Sequence, residues 1–113
     1  MQIDAKLPKE KRIEIAAEEI FSKFGYEKAT LDGIIALADV GKGTVYKYFG
    51  NKEQLFYKLV AVKNVPFVEA LQAAVEKEKG LQAKLIAYVT VLVEFYHKNS
   101  ALWQIIYFEM PNN

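Results

Sequence analysis

The sequence has no cysteine and a single histidine, and these shortages exclude several classes of protein. Without cysteine there is neither a disulfide framework nor a thiolate metal site, which fits the cytoplasm as the predicted location. No histidine, aspartate and glutamate set has metal-binding spacing. The GKGT segment, residues 41–44, is similar to part of a Walker loop but lacks its first glycine and a preceding strand. We therefore predict a protein that is not an enzyme and that uses no metal or cofactor.

Long hydrophobic runs and an excess of charge are also missing. The most apolar segment, residues 85–93, is far shorter than the roughly 20 residues that span a bilayer. No apolar run follows the charged N-terminus, as it would in a secretory signal. We therefore expect a soluble protein with no membrane partner. The formal net charge is only +1, so a nucleic-acid partner must be inferred from where charges lie and not from overall basicity.

The sequence does contain enough apolar material for a folded core, and this material has helical spacing. Hydrophobic residues make up 52% of the 113 positions and charged residues 26%, which is typical of a globular protein. In residues 9–24 apolar side chains recur at steps of three and four with glutamates between them, which predicts an amphipathic helix. Pro8 suits the start of this helix, and Gly25 suits a left-handed C-terminal cap.

Two short helices and a long one are predicted next. Thr30 is a good N-cap for a helix of about two turns. After an interruption, a second short helix ends at Gly50. Asn51, with a glutamine three residues later, resembles a capping box for a long helix, which Pro66 would kink or split.

The C-terminal part of the chain is predicted to contain two more helices. Residues 81–97 are apolar on nearly every side, and the run is too long for the strand that its β-branched residues would tolerate, so we predict a buried helix. Ser100 is the predicted cap of a final helix over residues 101–108. The predicted fold is therefore all-α, with six or seven helices and no sheet.

The two short helices and the longer helix before them predict a helix-turn-helix unit, whose second helix lies in the DNA major groove. Val45 and Phe49 would hold that helix to the core, four residues apart. Gly43 would let its N-terminus approach the sugar-phosphate backbone closely. The next helix, which starts after Asn51, would offer a second seat for a phosphate. The side chains predicted to project outward as donors are Lys42, Thr44, Tyr46, Lys47 and Tyr48.

Residues 12–56 resemble the N-terminal DNA-binding domain of the TetR/AcrR family of bacterial transcriptional regulators. The family pattern is a helix ending F…GY…T, followed by I…A.V.KGT.Y.YF..KE.L. It is matched at Phe21, Gly25, Tyr26, Thr30, Ile34, Ala38, Val40, Lys42, Gly43, Thr44, Tyr46, Tyr48, Phe49, Lys52, Glu53 and Leu55. The resemblance implies that Thr30 and the helix beginning at Lys52 lie on phosphates. It implies that Lys42, Thr44, Tyr46, Lys47 and Tyr48 face the groove and its walls.

Three positions depart from the family pattern. Asp39 stands where the family usually has glycine in the turn, and we expect the turn to survive because aspartate tolerates left-handed backbone. Gly33 lies inside a short helix, where a better helix former is usual. Asp32 places an anion where many members have a basic or neutral contact. Asp32 and the near-neutral net charge favour the alternative function, a helical protein-interaction module that has kept the fold but not DNA binding.

The resemblance further implies a repressor that binds a pseudo-palindromic operator as a homodimer and is released by a small-molecule inducer. Residues 1–50 would form the helix-turn-helix domain, and residues 51–113 a connecting helix with an incomplete regulatory and dimerisation domain. Family members are nearly twice this long, and their last two helices, which form most of the dimer interface, have no counterpart here. We therefore expect a fragment or a naturally short member, with residues 85–93 and 103–108 left exposed.

A ligand pocket in the C-terminal part is a further expectation from the resemblance. Its candidate lining residues are Tyr88, Leu92, Phe95, Trp103 and Tyr107. Aromatic residues at helical spacing also occur in an ordinary core, and the sequence leaves both interpretations open.

Overall fold

A computed structural model describes residues 1–110 of the chain. This range contains six α-helices and no strand, which confirms the predicted all-α class. The helices are α1 (Lys9–Lys28), α2 (Leu31–Ala38), α3 (Lys42–Phe49), α4 (Lys52–Glu76), α5 (Leu81–Lys98) and α6 (Ser100–Phe108). Within the same range, no helix combines the length and the hydrophobicity that crossing a bilayer requires. The predicted second region, residues 51–113, ends outside the described residues.

Helix α1 contains a backbone break at Gly25, where φ is +80° and ψ is 177°. The positive φ was expected for a cap at this position, and glycine adopts it without the steric cost that other residues meet. The prediction that Gly25 is the left-handed C-terminal cap is wrong, because its ψ lies outside the left-handed helical region and a further helical turn follows, which ends at Lys28. Ala29 is extended and leads directly into α2.

The N-cap residues of α2 and α4 are the ones that the sequence predicts. Thr30 Oγ1 accepts a hydrogen bond from the Gly33 N–H at 3.0 Å, which satisfies a free donor in the first turn of α2. Asp39 follows α2 with φ 56° and ψ 54°, so aspartate does occupy the left-handed turn position. At the start of α4, Asn51 Oδ1 accepts from the Gln54 N–H at 2.8 Å.

One hydrophobic core joins α1, α2, α3, the first part of α4, and α6. Phe21 lies at its centre, with its ring edge-to-face against Phe56 at 5.1 Å between centroids. The buried side chains are those of Ile13, Ala16, Ala17, Phe21, Ala29, Ile34, Ala38, Val45, Phe49, Leu55, Phe56, Leu59, Leu102 and Ile105. The core thus continues past residue 50, into the helix that the sequence assigns to the second region.

Helix α4 runs without interruption through Pro66, so the proline does not split it. Helix α5 packs along α4, where Phe67 and Phe95 stack with ring centroids 4.2 Å apart. The prediction that α5 is buried is wrong, because none of its side chains is buried and Leu85 is 54% exposed. The exposure of residues 85–93 that the family resemblance implies is the expectation that agrees with the structure. An apolar helix is buried on every side only when neighbours surround it, and in residues 1–110 α5 packs mainly against α4, with fewer contacts to α6.

Helix α6 begins at Ser100, so this serine is the first helical residue and not the cap that the sequence predicts. Asn99 alone separates α5 from α6, and it occupies the N-cap position without a side-chain capping bond. Its amide Nδ2 instead donates back to the Phe95 carbonyl at 3.0 Å. Leu102 and Ile105 then enter the core beside α1, which ties the end of the described chain to its beginning. The expectation that residues 103–108 are left exposed is therefore wrong for Ile105, whereas Tyr107 and Phe108 are exposed.

Candidate nucleic-acid interface

The two sides of α3 differ sharply in exposure. Val45 is 1% exposed and Phe49 is 4% exposed, whereas Tyr46 and Tyr48 are 46% and 42% exposed. Lys47 is exposed as well. Most of the outward side chains that the sequence predicts for α3 are therefore exposed, whereas Thr44 is half-buried. Helix α3 presents hydroxyl and ammonium groups at the surface.

The N-terminal end of α3 is open on its outer side. A Cβ atom added to Gly43 would meet nothing within 4 Å, and the φ angle at Gly43 is not positive. Neither the backbone conformation nor internal packing therefore requires glycine at this position. The N-cap residue, Gly41, supplies no side-chain acceptor to the first turn. Such a helix N-terminus suits the close approach of an anion.

The cations of α3 remain available to a partner. In the part of the chain that the structure describes, neither Lys42 nor Lys47 forms an ion pair, and Lys42 Nζ lies 6.0 Å from the centre of the Tyr46 ring. Lysines of α4 are paired instead, since Lys58 Nζ lies 3.0 Å from Glu10 and Lys63 Nζ lies 2.7 Å from Glu18. Positive charge without an internal partner is thus present on α3.

The turn between α2 and α3 is supported by Arg12, whose role is not predicted from the sequence. Arg12 Nη1 donates to the Ala38 carbonyl at 3.4 Å and to the Asp39 carbonyl at 3.3 Å. A guanidinium at these carbonyls complements the negative end of the α2 dipole. Arg12 and Ala38 are 26 residues apart, so no local sequence signal marks this contact.

At the start of α2, Thr30 and Gly33 are in close contact. A Cβ on Gly33 would lie 3.2 Å from Thr30 Oγ1, so glycine leaves room for the capping hydroxyl. Thr30 is exposed, as the prediction of a phosphate contact requires, while its hydroxyl oxygen already accepts the Gly33 N–H. Asp32 is also exposed, in the first turn of α2.

Lys52 is half-buried beside the helix-turn-helix. Its ammonium donates to the carbonyls of Tyr26 at 2.8 Å and Ala29 at 3.2 Å, with Glu27 O at 3.5 Å. The same ammonium lies 4.3 Å from the centre of the Tyr26 ring. Burial raises the pKa of the Tyr26 phenol above its usual value, and the charge of nearby Glu53 adds to this rise. In this structure the Lys52 ammonium contacts main-chain carbonyls. The phosphate contact expected of it stays a prediction.

The ligand-pocket candidates do not all meet at one cavity. A cavity of about 450 Å³ lies between α1, α4 and α5 and is lined by Phe95 together with Val62, Phe67 and Val91. A second space of about 30 Å³ is lined by Phe95 and Trp103. Trp103 also stacks on Tyr107, with ring centroids 5.8 Å apart. Three candidates are exposed and line neither space: Tyr88, Leu92 and Tyr107.

Comparisons with known proteins find relatives that share the helix-turn-helix part of this chain. The family model of bacterial regulatory proteins, tetR family, matches residues 15–59. A helix-turn-helix transcriptional regulator of Bacillus subtilis, YhgD, is 50% identical over 56 residues, which are 50% of this chain and 27% of that protein. The fatty acid metabolism regulator protein of the same organism is 31% identical over 85 residues, covering 75% of this chain and 44% of that protein.

A solved structure extends the similarity beyond the helix-turn-helix. The fatty acid degradation regulator FadR from Bacillus halodurans superposes with a TM-score of 0.79 at 27% identity, covering 94% of this chain and 56% of that one. The curated relatives are matched over half of their length or less. The portion of this chain that superposes on FadR includes the helix-turn-helix and the helices that follow it.

Proposed function

This chain belongs to the TetR family of bacterial transcriptional regulators, and we propose that it regulates transcription by placing α3 in the major groove of operator DNA. Members of the family are DNA-binding proteins and not enzymes, so no catalytic residue is assigned. The cytoplasm is the proposed location, because the DNA that such a regulator binds is there in a bacterium.

The exposed side of α3 is the observation that carries this proposal. The hydroxyls of Thr44, Tyr46 and Tyr48 can donate to phosphate oxygens, and the ammonium of Lys47 can reach a base edge. Gly43 would bring the start of α3 close to the sugar-phosphate backbone, since nothing in the described residues occupies the space beside it. Lys42 and the exposed Thr30, at the ends of the turn-connected helices, would flank this contact.

We further propose repression by occupancy of the operator, with a homodimer binding a pseudo-palindromic site. Two linked half-sites bind far more tightly than one, so this 113-residue chain should bind a single half-site weakly if it is monomeric. A small-molecule inducer would release the operator by shifting α4, which joins the DNA-binding core to α5. Phe95 is the proposed lining residue beside the cavity of about 450 Å³. Trp103 borders only the space of about 30 Å³, which is too small for such a ligand.

Titration of a labelled duplex library at two salt concentrations tests the DNA-binding proposal. We expect selective binding that weakens as salt rises, because phosphate contacts release counterions. Sequence-selective binding of any duplex supports the proposal. Failure to bind duplexes at either concentration would contradict it and favour a protein-interaction module, for which the exposed anion of Asp32 is the supporting feature.

Substitution of Lys47 tests the role of α3 more directly. Lys47→Ala should relax the preference at one base position by roughly 1–3 kcal/mol without changing the unfolding midpoint. Lys79→Ala is the matched control, because Lys79 is exposed in the connection between α4 and α5. An equal loss of affinity for every duplex would show that Lys47 contacts phosphate and does not select a base.

A further inference from the structure

The carboxylate of Glu109, at the end of α6, contacts the main chain at the end of α1. Both of its oxygens accept the Tyr26 N–H, at 3.2 and 3.3 Å, and Oε1 lies 3.4 Å from the Glu27 N–H. The partners are 83 residues apart in sequence. This contact joins the last described helix to the segment that leads into the helix-turn-helix.

The backbone break at Gly25 makes room for this carboxylate. A Cβ on Gly25 would lie 3.1 Å from Glu109 Oε2 and 3.2 Å from Oε1, so a larger residue would press against the carboxylate. Beyond the break a new helical turn begins at Tyr26, and the first N–H groups of a helical turn lack partners within the helix. Glu109 therefore acts as a cap that comes from another helix.

The position of Glu109 in α6 also needs an explanation. It is the C-cap residue, and a negative charge at a helix C-terminus is unfavourable for the helix dipole. The N–H groups of Tyr26 and Glu27 offer that charge a favourable partner. Leu102 and Ile105 pack α6 into the core, so the Glu109 carboxylate is held in place by a packed helix.

The segment that Glu109 contacts is held from a second direction by Lys52. The ammonium of Lys52 donates to the carbonyls of Tyr26 and Ala29, while Glu109 accepts from the N–H groups of Tyr26 and Glu27. Thr30, the cap of α2, comes directly after this segment. The backbone of residues 26–29 thus connects two charged contacts to the first turn of α2.

We propose that Glu109 is a positioning residue that sets the conformation of residues 26–29 and, through Thr30, the start of α2. In this role it acts through the backbone of residues 26–29 and not through a contact with DNA. Its consequence for DNA binding rests on the function proposed above, whereas its effect on the backbone does not. The contact makes the position of α6 part of the geometry of the helix-turn-helix.

Amide hydrogen exchange, resolved by residue with NMR on the full 113-residue chain, tests the proposal without DNA. In Glu109→Ala, the Tyr26 and Glu27 amides should exchange roughly threefold to tenfold faster, because an N–H bonded to a charged acceptor is released. Glu109→Gln keeps an acceptor oxygen and should restore part of the protection. Glu76→Gln, at an exposed glutamate in the last turn of α4, is the matched control and should change neither amide.

The start of α2 provides the second readout. If Glu109 positions this segment, the amide resonances of Thr30 and Gly33 should shift in Glu109→Ala and return toward their original values in Glu109→Gln. Exchange at Phe21, in the core, serves as the check that the variant is folded. Unchanged exchange at Tyr26 and Glu27 in folded Glu109→Ala would overturn the proposal, as would unchanged Thr30 and Gly33 resonances.

Duplex binding by the same variants separates this proposal from the proposed function. A several-fold weaker affinity in Glu109→Ala, with base preference unchanged, is the expected result for a residue that acts through α2. Altered base preference would contradict a positioning role. Absence of duplex binding by the unsubstituted chain would contradict the proposed function, and the exchange measurements would then decide the positioning role independently.

Discussion

Helix α1 is amphipathic and helix α5 is largely apolar. The two are similar in length, yet their environments differ. Helix α1 contributes four fully buried side chains to the core and contacts α2, α3, α4 and α6, whereas α5 has no buried side chain. Val93 of α5 is 59% exposed, while Ile13 of α1 is fully buried. The difference shows that apolar content does not by itself bury a helix, because burial requires neighbours on several sides.

Helix α4 contains both situations within one continuous element. Its first turns place Leu55, Phe56 and Leu59 in the core. Further along, Val65 and Val68 are exposed. The change in environment therefore occurs inside α4, so the packed unit around α1 extends beyond the region of residues 1–50 that the sequence assigns to DNA binding.

The largest predicted effect is a loss of stability in the packed unit around α1. Phe21→Ala should lower the free energy of unfolding by about 3–5 kcal/mol, because the substitution removes a buried ring and leaves a cavity beside Phe56. Val93→Ala, the matched change in α5, should alter it by no more than about 0.5 kcal/mol. Urea unfolding followed by circular dichroism measures both. Equal losses for the two variants would contradict the comparison between α1 and α5.

A smaller effect is predicted for the backbone break in α1. Gly25→Ala should destabilise the chain by about 1–3 kcal/mol, because φ is +80° there and the new methyl group would press on Glu109. Gly43→Ala is the control, since its Cβ would enter open space and alanine is the better helix former. Thermal unfolding should show a lower midpoint for the first variant only. Tolerance of alanine at Gly25 would mean that this turn can adopt another conformation.

For Lys52 we predict a loss of about 1 kcal/mol in the free energy of unfolding on substitution by alanine, because its bonds to main-chain carbonyls disappear. Duplex affinity should fall for all sequences alike. If the ammonium stays on the carbonyls in the complex, the dependence of affinity on salt should not change. A decrease of about one in the salt slope would instead show that Lys52 seats a phosphate.

The features that the sequence predicts well are those whose partners lie nearby in the chain. The caps at Thr30 and Asn51 and the left-handed turn at Asp39 each involve residues a few positions apart. The contact from Arg12 to the Ala38 carbonyl spans 26 residues and has no local signature.

Contacts to main-chain atoms cannot be predicted from the sequence for a second reason. Glu109 and Lys52 bind N–H and carbonyl groups that every residue possesses, so no complementary side chain marks the partner. The prediction that α5 is buried is wrong for a related reason. Burial depends on which neighbours surround the helix, and the sequence of α5 does not show them. The outward face of α3 could be predicted, since Val45 and Phe49 alone determine which side turns inward.

The smallest predicted effect on stability is in α5, where a substitution should instead change association. The exposed apolar side chains include those of Leu85, Ile86, Val89 and Val93, and contiguous apolar surface of this kind favours contact with another molecule. We expect the chain to self-associate at high concentration. Val89→Lys should weaken that association, measured by sedimentation velocity, while the free energy of unfolding changes by no more than about 0.5 kcal/mol. Ala73→Lys, on an exposed position of α4, is the control for added charge. A chain that stays monomeric at high concentration would show that this face does not associate with a second copy.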